Sequence, residues 1–161
     1  MAFAEKFVRR SLAQVTRYLT DDAIRAAAQK AVLDLIDPDT KIVISHSLGT
    51  VVAYEAVHHL DRPLPLLVTL GSPLGLDTII YPRLCPQPPT FPVQVRRWVN
   101  VADTDDFIAA EPDLAALFSA GIPEGATFEG GYTVDNGAQP HSGTFLSWQG
   151  PGRPADRAGP H

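Results

Sequence analysis

Ile42-Val43-Ile44-Ser45-His46-Ser47-Leu48-Gly49-Thr50-Val51-Val52-Ala53-Tyr54-Glu55-Ala56 is the stretch whose reading decides the fold. Lys41 to His46 is β-branched and apolar without alternation, the pattern of a strand buried on both faces. Leu48 to about Leu60 reads as a helix. Between them a sharp turn carries Ser47 at its tip. A strand, turn and helix in this order present a serine in a strained, exposed position, suited to attack on an acyl carbon. The strain favours small residues two before and two after the serine, places held here by Ser45 and Gly49. The competing reading makes Ser47 an ordinary helix N-cap.

Downstream, Asp61-Arg62-Pro63 breaks the helix and Leu64 to Leu70 forms a second buried strand. A strand, helix, strand sequence of this length implies a parallel pair with a right-handed crossover. Residues 72–92 hold Pro73, Pro82, Pro86, Pro88, Pro89 and Pro92, so regular structure cannot run through them. Their apolar members Leu76, Ile79, Ile80, Tyr81 and Leu84 either cover the sheet or line an acyl pocket. Val93 to Val101 reads as a third strand, Asp113 to Ala120 as a short helix and Phe128 to Val134 as a fourth strand. Phe145-Leu146-Ser147-Trp148 reads as a last helical turn. Upstream, Phe3, Phe7, Val8, Leu12, Val15 and Leu19 recur at helical spacing. Thr20-Asp21-Asp22 is a capping signal for a second helix, about Ala23 to Ile36, with a stripe of Ile24, Ala27, Ala28, Ala31, Val32 and Leu35.

With 161 residues, 45% hydrophobic and 19% charged, one globular domain is expected. It spans 1–149, helical over 1–40, with a disordered tail over 150–161. A net charge of -5 without a basic run gives no support for nucleic-acid binding. The single cysteine, Cys85, forms no internal disulfide and fits a reducing compartment. No histidine lies near it in sequence to activate it as a nucleophile. The start lacks a signal-peptide core, and no apolar run approaches the roughly 18 residues of a membrane span. A cytoplasmic location without membrane association is expected. The helix over 3–19, with Lys6, Arg9, Arg10 and Arg17, packs on the core or, on a weaker reading, meets a membrane surface.

A serine needs a base, and an imidazole needs a carboxylate to orient it. The order Ser47, then Asp103 or Asp106 after the third strand, then His141 after the fourth supplies them. Asp106 precedes the apolar Phe107-Ile108-Ala109, which would bury it, and is preferred to Asp103. His46 is not read as a base. His58 and His59, at a helix end, are read as cationic partners of the helix dipole. No His, Cys or carboxylate cluster has metal-ligand spacing, and no cofactor is expected.

These segments, with Val68-Thr69-Leu70-Gly71-Ser72-Pro73-Leu74-Gly75 and Asn136-Gly137-Ala138-Gln139-Pro140-His141, resemble the α/β-hydrolase superfamily, specifically bacterial serine esterase- or lipase-like proteins. The resemblance covers residues 42–141. It implies an α/β fold, a reduced three-layer sandwich with a short, mostly parallel sheet of three or four strands and two N-terminal helices. It implies Ser47 as nucleophile, Asp106 as acid, His141 as base and the Leu48 amide in the oxyanion hole. The substrate implied is a small acyl ester or a lipid. The chain departs from the family before Ile42, where neither the early strands nor the loop giving a second oxyanion amide is found. The Ile42 strand would then have an open edge, covered by the N-terminal helices or by a second subunit in a homodimer, or else the chain is a fragment. A catalytically impaired domain acting as an interaction module is the alternative function.

Overall fold

The computed structural model describes residues 10, 13–106, 108, 109, 111, 113–135 and 141. Residues 13–20 form helix α1. Asp21 then caps helix α2 (Asp22–Leu33), accepting the Ala23 and Ile24 amides at 3.0 and 3.1 Å. The expected apolar stripe of α2 is only half used. Ala28 and Val32 pack on the core, while Ile24 is exposed, and the helix ends at Leu33, short of the expected Ile36, leaving the exposed Leu35 beyond it. A polar cluster makes up the difference. Glu55 is 1% exposed and takes hydrogen bonds from Tyr18 of α1, from Arg25 and Gln29 of α2, and from the Cys85 amide. A buried carboxylate is tolerated only when its oxygens are satisfied in this way.

Strand β1 (Ile42–His46) leads into helix α3 (Leu48–Val57), then strand β2 (Leu64–Leu70). The segment over 72–92 holds two short 3-10 turns, Pro73–Gly75 and Tyr81–Arg83. Its Leu74, Ile80, Leu84 and Phe91 are fully buried in the core, so this segment covers the sheet. Ile79 instead lines a cleft of about 200 Å³ with Leu19, Thr78 and Arg83. Strand β3 (Val95–Asp103), helix α4 (Ala115–Phe118) and strand β4 (Thr127–Val134) complete the described elements. Residues 136–140, 145–148 and 150–161, for which a loop, a helical turn and a tail are expected, lie outside the described residues.

Among the described residues the sheet has four strands in the order β1-β2-β3-β4, every neighbouring pair parallel. This is an α/β architecture. A monotonic order with right-handed crossovers sends all the connections to one face. The core agrees. It lies on the face carrying Val43, Leu67, Trp98 and Phe128, where Trp98 stacks on Phe128 at 4.4 Å and meets Phe118 edge-on. The opposite face holds Ile42, Ile44 and Tyr132, which are 51%, 65% and 52% exposed. The expectation that the Ile42 strand is buried on both faces is therefore corrected: among the described residues β1 is an edge strand, and its Ile42 and Ile44 are exposed. Its apolar, β-branched composition reads the same at an edge as at a centre.

The dipole reading of His58 is also corrected. His58 is the C-cap of α3, but its ring packs edge-on against Tyr54 at 4.9 Å. Burial, then the neighbouring His59, lowers its pKa to about 4, so it is neutral at neutral pH. Among the described residues, no helix is long and apolar enough to cross a membrane.

Candidate active site

The register pairs His46 with Leu70 and Leu70 with Val101, so β1 and β2 end at one level and β3 runs two residues further, to Asp103. Residues just past these ends share one rim of the sheet, where open parallel sheets bind ligands. Ser47 follows β1, Gly71 follows β2, and Asp106 follows β3.

Ser47 has φ 53° and ψ -128°, the one positive φ among the described non-glycine residues. A left-handed φ costs an ordinary residue roughly 1–2 kcal/mol, so surrounding bonds must hold the turn. They are present. The Ser47 amide donates to the Leu70 carbonyl at 3.0 Å, and the Thr50 hydroxyl and amide both donate to the Ser47 carbonyl. Thr50 Oγ1 also meets Ser72 Oγ at 2.8 Å, tying the turn to the loop after β2. The Ser47 side chain makes no capping bond to α3, which removes the N-cap reading.

Ser47 Oγ lies 2.9 Å from His141 Nε2 instead, and His141 Nδ1 lies 2.7 Å from Asp106 Oδ2. Asp106 is 3% exposed. Its Oδ1 accepts the Ile108 amide at 2.9 Å and the Ala109 amide at 3.4 Å. Burial alone would raise its pKa. The hydrogen bond and charge of His141, with the two amides, outweigh burial and hold the carboxyl below the usual carboxylate range. Asp106 is thus a carboxylate at neutral pH. It can only accept, so His141 carries a proton on Nδ1, and in the neutral ring this leaves Nε2 as the acceptor for the Ser47 hydroxyl. This directed chain, hydroxyl to imidazole to buried carboxylate, is the arrangement that lets a serine lose its proton as it attacks.

The structure brings Ser47, Asp106 and His141 together. Asp103 is also buried, but its Oδ1 accepts the Asp105 amide and shapes the turn that delivers Asp106. Leu48 opens α3, directly after Ser47, and is half-buried. Nothing lies within 4 Å of a Cβ built on Gly49, so no described neighbour demands a small residue there. Gly71 is different, and the sequence reading missed it. Its φ is +52°, and a Cβ there would stand 3.1 Å from Asp106 Oδ2 and 3.3 Å from His141 Nδ1. A glycine directly after a strand, beside the strand of the serine, was the available signal. His46 was also missed as a neighbour of His141, its Nε2 lying 3.0 Å from the His141 carbonyl. Cys85 is exposed, and its amide donates to Glu55. Among the described residues, no three His, Cys, Asp or Glu side chains are placed to hold a metal ion.

No family model, curated protein or solved structure matches this chain.

Proposed function

We propose that the chain is a serine-dependent acyl-ester hydrolase built on a reduced α/β-hydrolase-like domain. The observation that carries the reading is the hydrogen-bonded chain from Ser47 through His141 to the buried Asp106, at 2.9 and 2.7 Å. The strained Ser47 backbone at the end of a parallel strand supports it. Ser47 Oγ attacks the ester carbonyl as its proton passes to His141 Nε2. The Leu48 amide donates to the oxyanion, and Asp106 stabilises the imidazolium. Collapse expels the alcohol, which takes the proton from Nε2. Water, deprotonated by the same nitrogen, then releases the acid and restores Ser47.

One observation favours a second reading, a binding domain with impaired catalysis. β1 is at the edge of the sheet, so no described strand flanks Ser47 on its outer side to supply a second oxyanion amide. Loss of one such donor costs about 10²–10³ in rate.

Labelling by a fluorophosphonate probe, with hydrolysis of short and long p-nitrophenyl esters, separates the two readings. The hydrolase labels and turns over ester, and both properties vanish in Ser47→Ala and His141→Ala. A folded protein that does neither is the binding domain. Relative turnover of the short and long esters reports the acyl preference.

A further inference from the structure

His46 ends β1 and directly precedes Ser47. Its Nε2 is 3.0 Å from the backbone oxygen of His141, and the two rings stand 5.0 Å apart at a tilt of 38°. A carbonyl oxygen only accepts, so the bond requires the proton on His46 Nε2. His46 is half-buried, and burial, then the neighbouring His141, holds its pKa below the ordinary 6.5. It is therefore neutral at neutral pH.

His141 belongs to no helix or strand. Its ring is held at both nitrogens, by Asp106 and Ser47. The bond from His46 adds a hold at the backbone end of the same residue. Since β1 carries both His46 and the approach to Ser47, one strand sets the position of the hydroxyl and the pivot of the imidazole. Ser47 and the His141 backbone oxygen are then both tied to one strand.

We infer that His46 is a positioning residue, whose Nε2–H, given to the His141 carbonyl, anchors the pivot of the imidazole between Ser47 and Asp106. The inference rests on the hydrolase reading for its kinetic consequence, but its structural content is independent of turnover.

The test uses His46→Leu, which keeps bulk without a donor, and His46→Gln, whose amide carries a donor to a similar reach. His46→Asn, whose amide donor sits on a side chain too short to reach the His141 carbonyl, serves as the second variant lacking the bond should the leucine variant fail to fold. Two properties are read: ester kinetics, and the low-field proton resonance of His141 Nδ1–H, assigned by its absence in His141→Ala. The leucine variant should lower kcat about 10- to 100-fold with KM within about twofold, and broaden or abolish the resonance. Glutamine should recover both. A leucine variant that keeps the wild-type resonance overturns the inference, as does a folded glutamine variant no better than leucine. An inactive wild-type protein whose resonance still vanishes with leucine and returns with glutamine defeats the hydrolase reading and leaves the anchor standing. A wild-type spectrum lacking the resonance overturns both.

Discussion

Gly71 carries two constraints at one atom. Its φ of +52° disfavours any residue with a Cβ, and a Cβ there would press on Asp106 Oδ2 and His141 Nδ1 together. Gly71→Ala therefore acts on stability and on the site. Backbone strain should cost about 1–2 kcal/mol in urea unfolding. Displacing the imidazole should slow fluorophosphonate labelling at least about tenfold. Gly49→Ala is the contrast, because its added methyl meets open space. Labelling there should stay within about twofold of wild type, and the first turn of α3 should gain rather than lose helix propensity. Equal loss in both variants would remove the special role of Gly71. Ser47 was legible in the sequence because a β-branched run, a serine and a helix leave few other turns. Gly71 was not, since a glycine after a strand serves many turns, and only the neighbours distinguish them.

Strands β2, β3 and β4 are fastened below the site by a buried polar strip. The Trp98 indole donates to Thr69 Oγ1 at 3.0 Å, and Thr69 Oγ1 donates to Asn100 Oδ1 at 2.8 Å. Asn100 Nδ2 reaches the Gly130 carbonyl at 3.2 Å. Thr69 and Asn100 are paired in register, so the strip locks β2 to β3 one residue before β2 ends. Thr69→Val is close to isosteric but strips an acceptor from Trp98 and a donor from Asn100. Leaving the buried Trp98 indole N–H without Thr69 Oγ1 should cost about 1–3 kcal/mol, read as a lower urea midpoint at unchanged slope. A midpoint shift near zero would mean the strip does not fasten the strands. The four strands themselves were legible as apolar runs, and their observed limits fall within two residues of expectation. The outward half of α2 was not legible. Ile24 belongs to a helical apolar stripe, yet the helix docks through Arg25 and Gln29 onto Glu55, a tertiary contact that periodicity does not encode.

At the scale of the whole molecule, strand order escaped the sequence. Parallel pairing follows from strand–helix–strand spacing, but which strand stands at the edge depends on packing among distant segments. The same holds for the charge of His58, which is set by what buries the end of α3 rather than by the helix itself. That burial gives the molecule a defined acid response. Free in the unfolded chain, His58 titrates near its ordinary 6.5; in the folded chain it titrates near 4. Below 6.5 the unfolded state binds the proton and the folded state does not, so stability falls with pH across this window. His46, also shifted downward, contributes in the same direction. The Asp106 carboxyl acts lower. Its stabilisation is complete above the ordinary 3.8 and is lost as pH drops through its depressed folded value. The two regimes can be separated by His58→Phe, which keeps a ring against Tyr54 and removes the titration. The His58 Nε2 atom is buried without a hydrogen-bond partner among the described residues, so the substitution breaks no bond there. Urea unfolding at about pH 7 and about pH 4.5 should show wild type losing roughly 2 kcal/mol more than the variant across the interval. Equal losses would place His58 in solvent and assign the acid response elsewhere.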